Sequence, residues 1–299
     1  MTLIVARKIK GRATVVGDTG LSAPSVLRPH PYWGTVKTVI LKPSLSVSYA
    51  SSDLAATHNL ISAASRHEQA ETVIRHLLAG HKKHRSSDFI VTHRPLYEEG
   101  IIVDTLYLIC GGAIQECETA WIGERDCFNS FQKHFHAASD NEHSASAARG
   151  QYAYDHIRNL MTEAMESVIA DRVGTVRGFA IAVDSRRNGY EYTPRSSNAS
   201  GNMEPVRLTA GEWTPIHLGS AETGASHISI LSTLLPDPPA VAIYMPLIKT
   251  LLSFVASRGY NFWAVRCDSH SDINSVTKEF FGFEFKGALY EHGRTYMLD

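Results

Sequence analysis

The sequence predicts an α+β fold in which two β-sheets pack face to face with helices outside them, followed by a smaller C-terminal α/β appendage. Before residue 195 the predicted elements run as four strands, two helices, strands, two helices and strands. Near that residue a polar linker begins and the pattern changes, so we place domains at residues 1–194 and 195–299. Hydrophobic residues make up 43% of the 299 residues, which is enough for two modest cores.

The N-terminal segment has the pattern of two β-hairpins. In each, two apolar-rich runs are joined by a turn dipeptide, Lys10-Gly11 in the first hairpin and Pro43-Ser44 in the second. A Gly/Ser/Pro-rich loop over 19–34 separates the hairpins. The four predicted strands are Leu3–Ile9, Arg12–Asp18, Val36–Lys42 and Leu45–Ser51.

Apolar residues at helical spacing predict the helices that follow. Helices are predicted within 52–84, over 125–136 and, with the most continuous apolar stripe, over Tyr152–Arg172. The remaining strands of this domain are predicted at Asp88–Arg94, Thr105–Gly112, Ile114–Gly123, Gly178–Ser185 and Tyr190–Pro194.

The C-terminal segment begins with a less regular stretch over 203–238. Its later part predicts alternating strands and helices. These elements are a strand at Ala240–Tyr244, a helix at Pro246–Arg258, a strand at Asn261–Asp268, a helix at about 270–281 and a final hairpin.

Charge and composition exclude several classes of function. A formal net charge of -1 gives no global attraction to nucleic acid or to an anionic membrane. No stretch approaches the roughly 18 apolar residues of a membrane-spanning helix, and the order of apolar and basic residues in MTLIVARKIK does not fit a secretory signal. The four cysteines, without C-x-x-C spacing, indicate reduced thiols in a cytoplasmic protein. The 15 histidines show no ligand spacing, so neither a metal nor a cofactor is predicted.

The beginning of the chain carries the candidate chemistry. Met1 precedes Thr2, a context in which methionine aminopeptidase exposes the second residue. A threonine at the chain end has a nucleophilic hydroxyl and a free α-amine, and an amine of pKa about 7.7–8.0 is suited to act as a base at neutral pH. Such a site needs a cation near the amine and an acid that holds the cation.

The segment from Thr2 to Ser51 resembles the proteasome β-subunit family. T-L-I-V-A-R-K-I-K-G-R-A-T-V-V-G-D is similar to the family's opening hairpin, and K-T-V-I-L-K-P-S-L-S-V-S-Y-A-S is similar to the next hairpin. The resemblance implies a four-layer αββα sandwich of the N-terminal-nucleophile (Ntn) hydrolase type over residues 2 to about 194. It implies that Thr2 is nucleophile and base, and that Asp18 and Lys37 complete a charge relay. The backbone N–H of Ser51 then faces the developing oxyanion.

Three positions depart from the family pattern. Ser51 stands where the family has glycine, which lets the backbone approach the substrate closely. G-E-R replaces the family's Gly-Ser-Gly, so Glu124 is a candidate supporting residue. Asp171, in A-D-R-V-G-T, aligns with a late acid of the family and is the second candidate supporting residue.

A first substrate pocket is predicted beside the site. Val39 and Tyr49, on the two strands that flank it, are the candidate lining residues. A tyrosine at this place narrows such a pocket and favours substrates with small side chains.

The C-terminal segment is weakly similar to the second half of a GNAT acetyltransferase. The helix-strand stretch P-L-I-K-T-L-L-S-F-V-A-S-R-G-Y-N-F-W-A-V-R-C-D and the ending F-F-G-F-E-F-K-G-A-L-Y-E-H-G-R-T-Y-M-L carry this similarity. M-P-L-I-K stands where that family has the glycine-rich loop for the pyrophosphate of acetyl-CoA. A short α/β appendage without an acetyl-CoA site is therefore expected.

Three functions stay open on the sequence. The first is a threonine-type hydrolase of peptide or amide bonds that binds a regulatory partner. It self-associates into a ring, which closes through heterologous interfaces between identical subunits. The second is a non-catalytic scaffold or binding subunit with the same fold, and the third is an acetyltransferase. Taken singly, Asp18 is also typical of a turn and Lys37 of a solvated strand edge.

Overall fold

The computed structural model of the chain describes residues 2–20, 34–95, 103–142, 151–171, 173–199, 201–209, 212–218, 226–233, 239–246, 249–260, 262–291 and 294–298. These residues group into two compact units. Unit 1 lies within Met1–Ser22 and Lys37–Glu191, and unit 2 within Ala23–Val36 and Tyr192–Asp299. The sheets are mainly antiparallel, and the described part of the chain contains five α-helices, so the fold is α+β.

The first sheet of unit 1 contains the N-terminal hairpin. Its strands are β1 (Leu3–Ile9), β2 (Arg12–Asp18), β8 (Thr119–Gly123), β9 (Ala180–Arg186) and β10 (Gly189–Tyr192), in the order β10-β9-β2-β1-β8. The turn residues Lys10 and Gly11 both have positive φ, 51° and 80°. Two positive φ values at the turn are typical of a type I′ hairpin, whose twist matches that of the strands.

The second sheet of unit 1 is an antiparallel meander. Its strands are β3 (Thr38–Lys42), β4 (Leu45–Ser51), β5 (Ser87–His93), β6 (Thr105–Cys110) and β7 (Ala113–Glu116), in chain order across the sheet. The predicted strand Ile114–Gly123 is two strands in the structure, because the chain leaves β7 on this sheet and enters β8 on the first.

Four helices belong to unit 1, namely α1 (Leu54–Ser65), α2 (Ala70–His84), α3 (Arg125–Glu142) and α4 (Gln151–Ala170). α1 begins where Asp53 accepts a hydrogen bond from the Ala56 N–H at 3.0 Å, an N-cap that satisfies a free donor of the first turn. α3 contacts β8, and α4 contacts β2 and β9. α1 contacts β4, and α2 contacts β5 and β6.

The two sheets of unit 1 also contact each other. β1 lies against β4 and β6, and β8 against β4, β5 and β6. A buried apolar cluster with members on both sheets contains Ile4, Ala6, Val15, Ile90, Leu106, Ala120 and Ile122. A second cluster joins α3 and α4 to the first sheet and includes Leu3, Val16, Phe131, Leu160 and Met165. Apolar burial of this kind contributes about 25 cal/mol per Å² of apolar surface removed from water.

Unit 2 is mostly sheet. Its strands are β11 (Arg195–Ala199), β12 (Gly201–Thr209), β13 (Glu212–Leu218), β14 (Ser226–Thr233), β15 (Ala240–Met245), β16 (Thr250–Val255), β17 (Trp263–Arg266), β18 (Phe285–Glu291) and β19 (Arg294–Leu298). One sheet has the order β17-β16-β15-β14-β18-β19, with β11 also paired to β14, and β12 and β13 form a separate ribbon. α5 (Ile273–Phe281) packs on the larger sheet through Ile273 and Phe281.

Two predictions for the C-terminal segment are wrong. The predicted helix at Pro246–Arg258 is strand β16 followed by a 3₁₀ turn at Ala256–Arg258. Leu251, Leu252 and Val255 are all buried, so neither face of the strand is exposed to solvent, and a mainly apolar run does not separate strand from helix. The stretch over 203–238, predicted to be less regular, includes β12, β13 and β14.

The similarity of the C-terminal segment to an acetyltransferase depended in part on the first of these predictions. The predicted helix, one of the elements of that similarity, is absent at 250–255, where β16 instead pairs antiparallel with β15 and β17. As for membranes, none of the helices within the described ranges combines the length and the apolarity that a membrane crossing needs.

Candidate functional site

The register of the N-terminal hairpin places Asp18 beside the start of the chain. Ile4 pairs with Gly17, so Leu3 and Thr2 lie next to the end of β2. The Asp18 Oδ1 atom accepts a hydrogen bond from the Leu3 N–H at 3.0 Å and a second one from the Thr2 hydroxyl. The hairpin alone therefore brings two of the predicted site residues together.

Lys37 reaches the same carboxylate from the residue before β3. Its Nζ atom lies 2.7 Å from Asp18 Oδ2, and the side chains of the pair are 3% and 0% exposed. Burial lowers the pKa of Lys37, and the charge of Asp18 and its hydrogen bond oppose that shift. A lysine in this state can release its proton more easily than an exposed lysine.

Asp18 is the central member of the group. One oxygen contacts Thr2 and the other contacts Lys37, so the hydroxyl, carboxylate and ammonium form a continuous chain. Thr2, Asp18 and Lys37 are 3%, 1% and 4% exposed, which means that little water competes for these bonds. Electrostatic interactions are stronger in such a poorly solvated place than at the surface.

The carbonyl group of Thr2 is fixed by the end of β8. The Glu124 N–H donates to the Thr2 oxygen at 3.0 Å. Gly123 has φ 116°, and a Cβ atom there would lie 1.8 Å from the Thr2 oxygen. Only glycine fits this backbone, because other residues rarely adopt that φ and have no space beside Thr2.

The Glu124 carboxylate binds the loop that precedes β9. It accepts hydrogen bonds from the Thr175 hydroxyl at 2.8 Å, the Thr175 N–H at 3.2 Å and the Cys127 thiol at 3.2 Å. Burial acts to raise the pKa of Glu124, but the bonds from Thr175 and Cys127 outweigh it and lower the pKa. Further along the loop, the Arg177 N–H lies 3.4 Å from Asp18 Oδ2.

Ser51 ends β4 on the side of Lys37. The Tyr49 N–H donates to the Lys37 carbonyl at 3.0 Å, while the Ser52 N–H donates to Ser86 on the other side of the strand. Along an antiparallel strand the N–H groups of residues i and i+2 point to the same neighbour, so the Ser51 N–H points to the Lys37 side. The Ser51 hydroxyl is turned to the start of α1 and accepts a bond from Thr57 at 2.7 Å.

The two predicted pocket residues are buried. Val39 is 0% and Tyr49 1% exposed. The Tyr49 hydroxyl lies 2.8 Å from His58 Nε2 on α1, and the two rings meet edge to face with centroids 5.3 Å apart. Burial lowers the pKa of His58 to about 4, so this histidine is neutral at neutral pH.

Asp171 lies apart from the other candidates. Its side chain is 52% exposed, and its carboxylate bonds to His134 Nε2 on α3 at 2.8 Å. The structure thus brings together Thr2, Asp18 and Lys37 with Glu124 close by, whereas Asp171 faces α3.

Sequence reasoning missed Thr175, Arg177 and Cys127. The segment V-G-T-V-R-G has glycines with positive φ at both Gly174 and Gly178, 56° and 86°, which is a loop signal. Nothing in the sequence connects this loop to Glu124, because the two are far apart along the chain and meet only in the folded unit.

The group is equipped for proton transfer to and from a hydroxyl. Within the described ranges no three His, Cys, Asp or Glu side chains are grouped so as to hold a metal ion.

Among known proteins, no family model matches the chain and no curated protein matches it.

Proposed function

We propose that the chain is a threonine-type N-terminal-nucleophile hydrolase that cleaves peptide or amide bonds. The observation that carries the proposal is the buried chain of contacts from the Thr2 hydroxyl through Asp18 to Lys37. A surface turn residue or a solvated lysine would not be buried in this way. Removal of Met1 gives Thr2 the free amine that the proposal requires.

The proposed reaction has two stages. The Thr2 amine accepts the proton of the Thr2 hydroxyl while Oγ1 attacks the carbonyl carbon, and the Ser51 N–H stabilises the negative oxygen. The C–N bond then breaks, the amine passes the proton to the leaving nitrogen, and an ester on Thr2 remains. Water, deprotonated by the same amine, hydrolyses the ester. The nearby Lys37, which Asp18 holds, lowers the amine pKa by like-charge repulsion.

The proposal extends to the architecture and assembly of unit 1. Helices contact the first sheet through β2, β8 and β9 and the second through β4, β5 and β6, and the sheets contact each other. These contacts support a four-layer αββα sandwich of the Ntn type. Enzymes of the family that the sequence resembles work as rings, so we propose a cytoplasmic homo-oligomer.

Hydrolysis of a fluorogenic peptide library by the purified chain tests the proposal. We expect cleavage after small residues, because the buried Tyr49, whose N–H bonds the Lys37 carbonyl on the neighbouring strand, narrows the proposed pocket. Thr2→Ala is expected to abolish cleavage, and Thr119→Ala, a matched change of an exposed threonine, is expected to retain it. Intact mass must show loss of Met1 in the active sample. Cleavage that survives in Thr2→Ala would refute the mechanism.

A non-catalytic binding subunit is the second candidate. The burial of both Val39 and Tyr49 favours it, because a substrate side chain would have to displace them. This candidate predicts that the mature chain keeps Met1, or that a processed chain cleaves no member of the library. The intact mass of the purified chain and its cleavage of the library together distinguish the two candidates, because only the hydrolase both loses Met1 and cleaves a peptide.

A further inference from the structure

We propose that Glu124 is a positioning residue that ties the backbone of Thr2 to the loop holding Asp18. The inference rests on the proposed function, since positioning matters only if Thr2 reacts. It assigns a specific task to the acid that stands at this place in the sequence.

The first half of the tie is made by backbone. The Glu124 N–H donates a hydrogen bond to the Thr2 carbonyl at 3.0 Å. A side chain at position 123 would collide with the same carbonyl oxygen, and glycine avoids this collision. The pairing of Leu3 with Gly123 fixes the direction of β1 at this point. Thr2 can therefore move relative to β8 only if these contacts break.

The second half is made by the carboxylate. Both its oxygens are used: Oε1 accepts from the Thr175 hydroxyl, and Oε2 accepts from the Thr175 N–H and the Cys127 thiol. Gly174 lies directly against the same carboxylate, because a Cβ atom at this position would lie 2.1 Å from Oε2. Burial and the neighbouring carboxylate raise the pKa of Cys127 to about 11, so the thiol stays protonated and remains a donor.

The loop then reaches the catalytic carboxylate. Two residues after Thr175, the Arg177 N–H lies 3.4 Å from Asp18 Oδ2. The Arg177 carbonyl accepts from the Gly20 N–H at 2.7 Å, and the Phe179 N–H donates to the Thr19 hydroxyl at 2.9 Å. The loop is thus bonded to the segment just after β2, on the far side of Asp18 from Thr2.

Glu124 therefore connects Thr2 and Asp18, which are hydrogen-bonded to each other, by a route independent of the hairpin. The backbone N–H of Glu124 holds the Thr2 carbonyl in position. The side chain of Glu124 holds the loop whose Arg177 N–H donates to Asp18. Loss of the side chain frees the loop and lets the Thr2–Asp18 approach vary. A misplacement of about 1 Å at a reacting group can cost about 100-fold in rate.

Labelling kinetics with a peptide epoxyketone test this inference. The variants are Glu124→Ala and Thr175→Val, which removes one donor while keeping the shape of the side chain. Glu118→Gln is the control, because Glu118 is an exposed acid just before β8 that pairs with Lys8. We expect the maximal rate of inactivation to fall about 100-fold in Glu124→Ala and about tenfold in Thr175→Val, with the reversible binding constant unchanged. The control should label like the unchanged chain.

Amide hydrogen exchange supplies a readout that does not need activity. In Glu124→Ala the Arg177 and Leu3 amides should exchange at least about tenfold faster, while amides of β4 and β5 keep their protection. Unchanged labelling rates and unchanged exchange in Glu124→Ala would overturn the positioning role. If the unchanged chain does not label at all, the proposed function fails, and the exchange data still decide whether Glu124 ties the loop to Thr2.

Discussion

At the scale of single residues, the carboxylate of Asp18 has more partners than a turn residue needs. Oδ1 accepts from the Thr2 hydroxyl and the Leu3 N–H, and Oδ2 accepts from Lys37 and the Arg177 N–H. Lys37, in contrast, forms an ion pair with Asp18 alone among the described residues. The buried pair is therefore asymmetric: the anion has other donors, and the cation depends on the anion.

This asymmetry predicts unequal costs for removing each partner. Asp18→Asn leaves a buried ammonium without its counter-charge, and we expect it to lower the free energy of unfolding by about 3–5 kcal/mol. Lys37→Met should cost less, because the carboxylate keeps three donors. Both variants should lose hydrolysis. Urea unfolding measures the two costs, and a larger loss in Lys37→Met would contradict this description of the pair.

The same variant predicts a pH dependence. In Asp18→Asn, burial still lowers the pKa of Lys37, but the opposing negative charge is gone, so the folded-state value falls further below 10.5. Between that value and 10.5 the unfolded state binds more protons, and the free energy of unfolding rises with pH. The difference in the free energy of unfolding between Asp18→Asn and the unchanged chain should therefore become smaller towards pH 10.5. A deficit that is constant with pH would be inconsistent with a charged Lys37.

His58 predicts an effect on the acid side. Its pKa is about 4 in the folded chain and 6.5 ordinarily, because burial disfavours the charged ring. The unfolded state binds more protons between these values, so stability falls as pH is lowered from 6.5 to about 4. His58→Gln should flatten this fall in a thermal-melting series, whereas His84→Gln, at an exposed position of α2, should not. If stability falls equally steeply with decreasing pH in both variants, His58 is excluded as the cause of the fall.

At the scale of elements, the end of β8 is the part of the site most sensitive to substitution. Gly123→Ala forces an unfavourable φ and places a methyl group against the Thr2 carbonyl. We expect a loss of about 1–3 kcal/mol in the free energy of unfolding from the backbone alone, together with loss of hydrolysis. Gly111→Ala is the matched control: φ is 58° there, but no atom lies within 4 Å of the added carbon. Hydrolysis retained in Gly123→Ala would show that the position of Thr2 is not critical.

Helices and strands were predicted correctly where the local sequence pattern alone defines them. β1, β2 and β4 have the bounds that their apolar runs and turn dipeptides predict. β16 was predicted as a helix, because burial on both faces removes the alternation that identifies a strand. The split between β7 and β8 was missed for another reason: a change of sheet inside one run is a tertiary event.

The candidate site shows the same division. The spacing of Thr2, Asp18 and Lys37 on two hairpins was visible in the sequence, and the structure brings the three together. The bonds of Glu124 to the loop before β9 could not be predicted, because the partner is distant in sequence and partly backbone. Asp171 is a candidate only through the family resemblance, and its carboxylate bonds to His134.

At the scale of the whole molecule, the proposed function predicts an assembly. A homo-oligomeric ring should have a native mass that is a multiple of the 32.9 kDa chain. Such a ring closes through heterologous contacts, so a single substitution in one interface should give smaller species rather than a mixture of larger ones. Light scattering of the purified chain measures the mass. A monomer at all concentrations would remove the ring from the proposal and leave the chemistry of Thr2 untouched.

The proposed role of Thr2 as nucleophile and base can be tested through the mass of the adduct formed with a peptide epoxyketone. This reagent requires both a hydroxyl and a free α-amine on one residue, which only a processed Thr2 offers. We expect one adduct per chain, mapped to the N-terminal peptide and absent in Thr2→Ala. No adduct on a chain that has lost Met1, or an adduct at another residue, would exclude Thr2 as the nucleophile.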